Sequence, residues 1–291
     1  IMMSEKSEAK PVSFLEDCAV ELKDLAEYTD KLTVIFDRNG VKGTWYAHAS
    51  VGCLHVRPVL NMKQVGGAET MRAIAEEAFK LVRSFGGSHS GEHGDGIVRS
   101  EFNDRMFGPV LPDLFRQVKT MFDPQGMFNP GKITGAPKMD DRELFRFAPG
   151  YEAEDFDSVL DWAAWPGAAG GFQGAVEMCN NNGACRKLTG GVMCPSYRAT
   201  RNERDAVRGR ANSLRLAMSG QLGPDAMASD AMAETMKLCV SCKACKRECP
   251  LGVDMARMKV EVTAARAAKH GIPLHDRLIG CLLYTSPSPR D

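Results

Sequence analysis

Apolar and polar positions along the chain fall into stretches of different period. Residues 12–36 open with Phe14, Leu15, Cys18, Leu22, Leu25 and Ala26 at helical spacing, and 32–36 continue that helix or begin the next element. Gly40 and Gly43 punctuate. Residues 44–60, rich in aromatic and β-branched side chains, predict strand. Residues 69–85 place Met71, Ile74, Ala75, Ala78, Leu81, Val82 and Phe85 on one helical face, which Gly86 and Gly87 close. Another helix starts at Pro112, a residue tolerated in a first turn, carries Leu114, Phe115, Val118, Met121 and Phe122, and stops at Asp123 and Pro124. From residue 136 the period is lost. Pro137, Pro149, Pro166 and the small residues at 167–171 predict a linker over 137–174 that holds a domain boundary. Helical spacing returns over 200–219, 225–238 and 253–269. The expected organisation is a front domain (1–136), the linker (137–174), a helical rear domain (175–279) and a tail (280–291) that resembles vector-derived sequence.

Composition narrows the classes. The chain has 291 residues, 44% of them hydrophobic, enough for two domains with real cores. Its 37 basic and 37 acidic residues cancel, which gives no global argument for nucleic acid or an anionic membrane. No apolar run approaches the roughly 18 residues that span a bilayer, and no signal layout opens the chain. A cytoplasmic protein, soluble or peripheral to the inner membrane, is expected. Ile1 ahead of Met2 and Met3 suggests that the natural protein extends further at both ends.

At least seven of the ten cysteines fall in cluster spacings, which need reduced thiols. Cys239, Cys242 and Cys245, followed by Cys249 before Pro250, reproduce the C-x2-C-x2-C-x3-C-P run that wraps a cubane iron–sulfur cluster, in which the fourth cysteine reaches a different cluster. Upstream, Cys179 and Cys185 are the outer members of a similar frame whose middle position is Asn182, and Cys194 precedes Pro195. By the exchange rule Cys239, Cys242, Cys245 and Cys194 form a complete four-thiolate site. Cys179, Cys185 and Cys249 supply three ligands, which suits a three-iron cluster, a non-cysteine fourth ligand or no cluster. One cluster or two are therefore open. Zinc also takes cysteine pairs, but it has no use for a third rung or the following proline. The arginines at 201, 204, 208, 210 and 215 lack interleaved aromatics and suit the negative charge of thiolate clusters, or a docking partner, better than nucleic acid.

The front half offers a second kind of chemistry. His48 and His55 are an odd number of residues apart, so one unbroken strand would put them on opposite faces; a turn at 50–52, which Gly52 allows, would bring them together. The glycine-rich loop at 88–96 carries Glu92 and His93. Two histidines and a carboxylate suit a divalent metal, and His93 remains for proton transfer. The turn at 128–132 presents Asn129 and Lys132.

Together these residues resemble the FAD-linked oxidases of the vanillyl-alcohol oxidase type, in their C-terminal domain, over roughly residues 12–135. The carriers are Ala-His-Ala-Ser-Val-Gly-Cys-Leu-His ending at His55, Ser-Gly-Glu-His-Gly-Asp-Gly through Glu92 and His93, and Met-Phe-Asp-Pro-Gln-Gly-Met-Phe-Asn-Pro-Gly-Lys-Ile ending at Ile133. Fusion to a 4Fe-4S ferredoxin-type domain resembles bacterial D-2-hydroxyglutarate and D-lactate dehydrogenases that carry both parts. The resemblance implies an α+β fold, an antiparallel sheet with helices followed by a mostly helical iron–sulfur domain. It implies His48, His55 and Glu92 as ligands of a divalent metal (zinc or manganese), His93 as catalytic base, and Asn129 and Lys132 near FAD. Arg57 stands where relatives commonly have asparagine, and is expected to grip a substrate carboxylate. The implied reaction oxidises a D-2-hydroxy acid to the 2-oxo acid and passes electrons through 4Fe-4S clusters to a ferredoxin, flavoprotein or quinone-linked carrier. The N-terminal domain that holds FAD in this family is a further implied partner. Two other functions fit part of the pattern: an electron-transfer subunit docking a separate flavoprotein, and a zinc-stabilised binding module.

Overall fold

The structure is a computed structural model that describes residues 4–147, 151–153, 155–167 and 170–285, the last five of these by backbone alone. They cluster into two compact units, one within Ala9–Tyr151 and one within Glu152–Asp291 together with residues 4–8. No helix among the described residues is long and apolar enough to cross a membrane.

The first unit is built on strand β4 (Cys53–Leu60), which pairs antiparallel with β1 (Lys10–Pro11) and β2 (Cys18–Ala19) on one edge and with β3 (Gly43–His48) on the other. Helices α1 (Leu25–Arg38) and α2 (Val65–Ser84) bury Tyr28, Leu32, Phe36, Ile74, Ala78 and Val82 against the sheet. The helix expected from residue 14 begins only at Leu25. Phe14, Leu15 and Cys18 are indeed buried, but in a bend and turn that lead into a short strand: Asp17 takes φ 95 and donates its N–H to the Leu54 carbonyl. Their spacing mimicked a helical face. Helix α3 (Asn103–Phe107) leads to α4 (Val110–Phe122), whose apolar residues Leu114, Val118, Met121 and Phe122 are exposed rather than packed. Only Pro112 of α4 is buried.

The second unit is helical: α5 (Gly171–Glu177), α6 (Pro195–Thr200), α7 (Val207–Met218), α8 (Asp230–Lys237), α9 (Ala244–Glu248), α10 (Met255–His270) and α11 (Leu274–Thr285). The helix read over 200–219 is two, because Arg201 is left-handed at φ 58 and Asn202 caps a separate turn. The stretch 137–174 is not a free linker. Met139 is buried in the first core, and Asp140 pairs with Arg72. Trp162 and Phe172 are buried in the second, where the carboxylate of fully buried Glu261 accepts from the Val159 and Leu160 amides and from Trp162 Nε1 at 2.7–3.0 Å. Composition reported the irregular backbone but not its burial. Residues 280–285 of the expected tail continue α11, and 286–291 lie outside the described residues.

Candidate functional site

The β3–β4 hairpin turns through a short 3-10 segment, Ala49–Val51, and Gly52 at φ 68. A side chain at residue 52 is impossible: its Cβ would lie 1.9 Å from the Val20 carbonyl oxygen. This turn resolves the odd spacing of the histidines, since it pairs His48 with Cys53 and Tyr46 with His55. His48 Nε2 then lies 3.1 Å, and His55 Nε2 3.0 Å, from the same Glu92 oxygen, Oε1. His93 Nε2 is 3.5 Å from it. The imidazole of His55, 1% exposed, is stacked between Tyr46 and His93 at 4.8 Å each, whereas His48 and His93 reach solvent.

Two residues that spacing could not reveal hold this cluster. Asp17, fully buried, accepts the backbone N–H of Glu92 and of His93, each at 2.8 Å, and the hydroxyl of Ser90 at 3.3 Å; its own carbonyl accepts from Gly91. Burial opposes its ionisation, but the His93 and Glu92 amides, Cys53 and Arg99 prevail, so the carboxyl sits below the usual carboxylate range. Glu16 next to it accepts Arg57 Nε at 2.9 Å, Arg57 Nη2 at 2.7 Å and the Tyr46 hydroxyl at 2.8 Å. Its pKa is also lowered, burial being outweighed by Arg57 and Tyr46. Arg99 donates to the Glu16 and Gly94 carbonyls and so closes the loop. The available signal was an acidic pair, Glu16-Asp17, inside the apolar run 14–20.

The donor set fits a divalent cation. Donors about 2.1 Å from one ion lie about 3.0 Å apart at octahedral angles and about 3.4 Å apart at tetrahedral ones, and the nitrogens of His48, His55 and His93 lie 3.1, 3.0 and 3.5 Å from Glu92 Oε1. Asp17, His55, Glu92 and His93 also present ligand atoms within 4.8 Å of one another. Arg57 is placed differently from expectation: Glu16 occupies its Nε and Nη2 edge. Asn129 and Lys132 line an open trough with Phe115, Phe122 and Phe128, and this trough shares no lining residue with the histidine cluster.

In the second unit, Cys194, Cys239, Cys242 and Cys245 line one small cavity, with Pro195, Ser196 and Arg210. The exchange rule picked these four. No disulfide joins any of the nine described cysteines. Burial pushes the Cys245 thiol up to about 11, so a cation must supply the thiolate form, which suits a cluster. Cys179 and Cys185 are buried in the same core and Cys249 packs against it, but none of the three lines this cavity. The two ladders share a backbone path: the second and fourth residues after the first cysteine are left-handed in both, Asn181 and Gly183 upstream, Ser241 and Lys243 downstream. Asn182 therefore occupies the place of Cys242. Its side chain is spent on its own turn, accepting from Ala184 N and donating to Asn180.

Comparison with known proteins adds the following. Residues 2–133 match the family model described as FAD linked oxidases, C-terminal domain, and residues 175–253 match the 4Fe-4S dicluster domain. A D-2-hydroxyglutarate dehydrogenase of Pseudomonas putida is 31% identical over 97% of this chain and 30% of its own length. The protein of the same name from Escherichia coli is 28% identical, again over 97% and 30%. A D-lactate dehydrogenase of Archaeoglobus fulgidus is 30% identical over 45% of this chain and 29% of its own. The chain thus spans about 30% of the length of these relatives. It joins the C-terminal domain of the FAD linked oxidases to a 4Fe-4S dicluster domain.

Proposed function

We propose that the chain is the substrate-oxidising and electron-relay part of an FAD-dependent D-2-hydroxy acid dehydrogenase, acting on D-2-hydroxyglutarate or D-lactate. The observation that carries this reading is the convergence of His48 Nε2 and His55 Nε2 on Glu92 Oε1, with His93 beside them. His48, His55 and Glu92 would hold zinc or manganese. When bound, the cation supplies Lewis acidity that lowers the pKa of a coordinated hydroxyl, FAD accepts two electrons, and the clusters carry them singly.

His93 is the base. Its Nδ1 faces Glu16 Oε1 at 3.9 Å, which favours the tautomer with hydrogen on Nδ1 and leaves Nε2 to take the hydroxyl proton. Asp17 fixes the backbone of both Glu92 and His93, so ligand and base keep one spacing. Tyr46 and Glu16 hold Arg57 through Nε and Nη2, which leaves the Nη1 edge of its guanidinium to meet a second substrate carboxylate. The exposed stripe of α4 and the trough at Asn129 and Lys132 offer a surface for a flavin-binding domain. The reading places the protein in the reducing cytoplasm, at most peripheral to the inner membrane, with an external one-electron acceptor.

The test is single-turnover flavin reduction in a protein that joins this chain to its flavin domain. D-2-hydroxyglutarate and D-lactate are compared, and His93→Ala is expected to abolish reduction while divalent metal content stays at the wild-type level. Retained reduction removes His93 from its role, and no reduction by either acid removes the substrate class.

A further inference from the structure

The second unit contains a buried charge that folding alone does not explain. Arg210 in α7 is the largest fully buried side chain of the described residues, at 0% exposure, and it lines the four-cysteine cavity. Its Nε donates to the Thr235 carbonyl at 2.9 Å, and Nη1 to the Asp205 carbonyl at 2.7 Å and to Ser196 Oγ at 3.0 Å. The same Nη1 lies 3.7 Å from Cys194 Sγ, within reach of an N–H···S bond. Nη2 has no hydrogen-bond partner; the nearest carboxylate oxygen, Asp205 Oδ1, stands 3.8 Å away and is itself unpartnered. Asp205 is 1% exposed, and its other oxygen accepts from Thr200. A guanidinium taken fully out of water needs a close counter-charge, and Asp205 approaches it only loosely.

We propose that Arg210 is a positioning and tuning residue that raises the reduction potential of the cluster held by Cys194, Cys239, Cys242 and Cys245. This rests on reading that cavity as a 4Fe-4S site. A thiolate-ligated cluster is anionic and gains one more negative charge on reduction. Hydrogen bonds to its sulfurs and nearby net charge are what set its potential. Arg210 supplies both, an N–H contact to the Cys194 sulfur at 3.7 Å, shared with the Asp205 carbonyl and Ser196 Oγ, and a positive charge in a medium that screens poorly. Asp205 opposes it through the same guanidinium. The two buried charges therefore act on the cluster with opposite sign, and Cys194, the ligand contributed from the other ladder, is where they act.

The test uses the 291-residue chain, reconstituted anaerobically and assayed for iron and acid-labile sulfide. It is then titrated with dithionite while the reduced cluster is followed by electron paramagnetic resonance; the relevant signal is the one that Cys194→Ser removes. Arg210→Gln is expected to shift the reduction equilibrium at least tenfold against the reduced form, about 59 mV lower for a one-electron couple. Arg210→Lys keeps the charge without the fork and is expected to fall between. Asp205→Asn is expected to move the potential upward. A merely structural arginine would lower melting temperatures and leave the potential unmoved, so unchanged potentials in variants with wild-type iron overturn the proposal. If Arg210→Gln takes up no iron, the upward shift in Asp205→Asn still decides: its absence overturns the assignment. Wild-type chain without iron or sulfide overturns the cluster reading instead, a distinct result.

Discussion

In the first unit, the loop and strands that carry the histidine cluster are held by protein. Asp17 grips the Glu92 and His93 amides, Glu16 grips Arg57 and Tyr46, and His55 is clamped between two rings. In the second unit four thiols surround a small cavity on helices and turns as short as five residues, with left-handed residues between them. The first arrangement is shaped by protein contacts, although buried His55 Nδ1 has no hydrogen-bond partner. The second brings together groups that gain little from one another until a cation binds, so its cofactor is also part of its fold.

The sharpest way to break this comparison is to keep the cluster from forming. In Cys239→Ser/Cys245→Ser, or after iron chelation, the second unit is expected to lose its melting transition, a loss on the order of 10 kcal/mol if cubane ligation resembles structural zinc. Calorimetry should show the transition of the first unit in place. A first unit that melts along with the second would contradict the contrast.

Next in size is Asp17→Ala, which removes the buried charged acceptor of the Glu92 and His93 amides and is expected to cost about 3 kcal/mol in urea denaturation of the first unit. Zinc or manganese affinity, read by titration calorimetry, should fall about 10- to 100-fold, as for other groups that orient metal ligands. Unchanged affinity would mean that the loop keeps its shape without its clamp. Glu261→Leu probes the protein-held part of the second unit: it frees two amides and the Trp162 indole, for about 2 kcal/mol. It should lower the melting temperature without changing iron content.

Acid gives a smaller, graded effect. Asp17 and Glu16 both titrate below their unfolded values, so the stability they confer is complete above pH ~4.5 and is lost as pH falls through their lowered folded values. The urea midpoint of the first unit should drop in that window, and Asp17→Asn should flatten the drop. A midpoint independent of pH there would show that the two carboxylates are not linked to folding. The smallest stability effect belongs to His48→Ala. This exposed residue is expected to change stability by less than about 0.5 kcal/mol while divalent affinity drops at least tenfold. Equal loss of both would place His48 in the frame rather than at the ion.

The contrast also explains what was legible in the sequence. Cysteine ladders, the His48–His55 spacing and the glycine loop are local patterns, and the chemistry they suggest depends on neighbours a few residues away. The roles of Asp17 and Glu16 depend on Asp17 adopting a left-handed backbone opposite Leu54, and on contacts with residues 30 or more positions away. No period encodes that. Phe14, Leu15 and Cys18 mimicked a helix because burial alone can reproduce a helical spacing over a few positions. Arg57 read as a free fork because its partner was hidden in that same stretch. Trp162 and Met139 were assigned to a linker because glycine and proline describe the backbone around them and not the cores they enter.

The matching path of the two cysteine ladders has a consequence for how the relay can be rewired. Because Asn182 stands where Cys242 stands in its counterpart, the difference between a three-thiol and a four-thiol station is one side chain on an unchanged backbone. Asn182→Cys should therefore raise the count of bound iron without redesign of the fold, so that the number of thiols offered at the upstream ladder turns on that position alone.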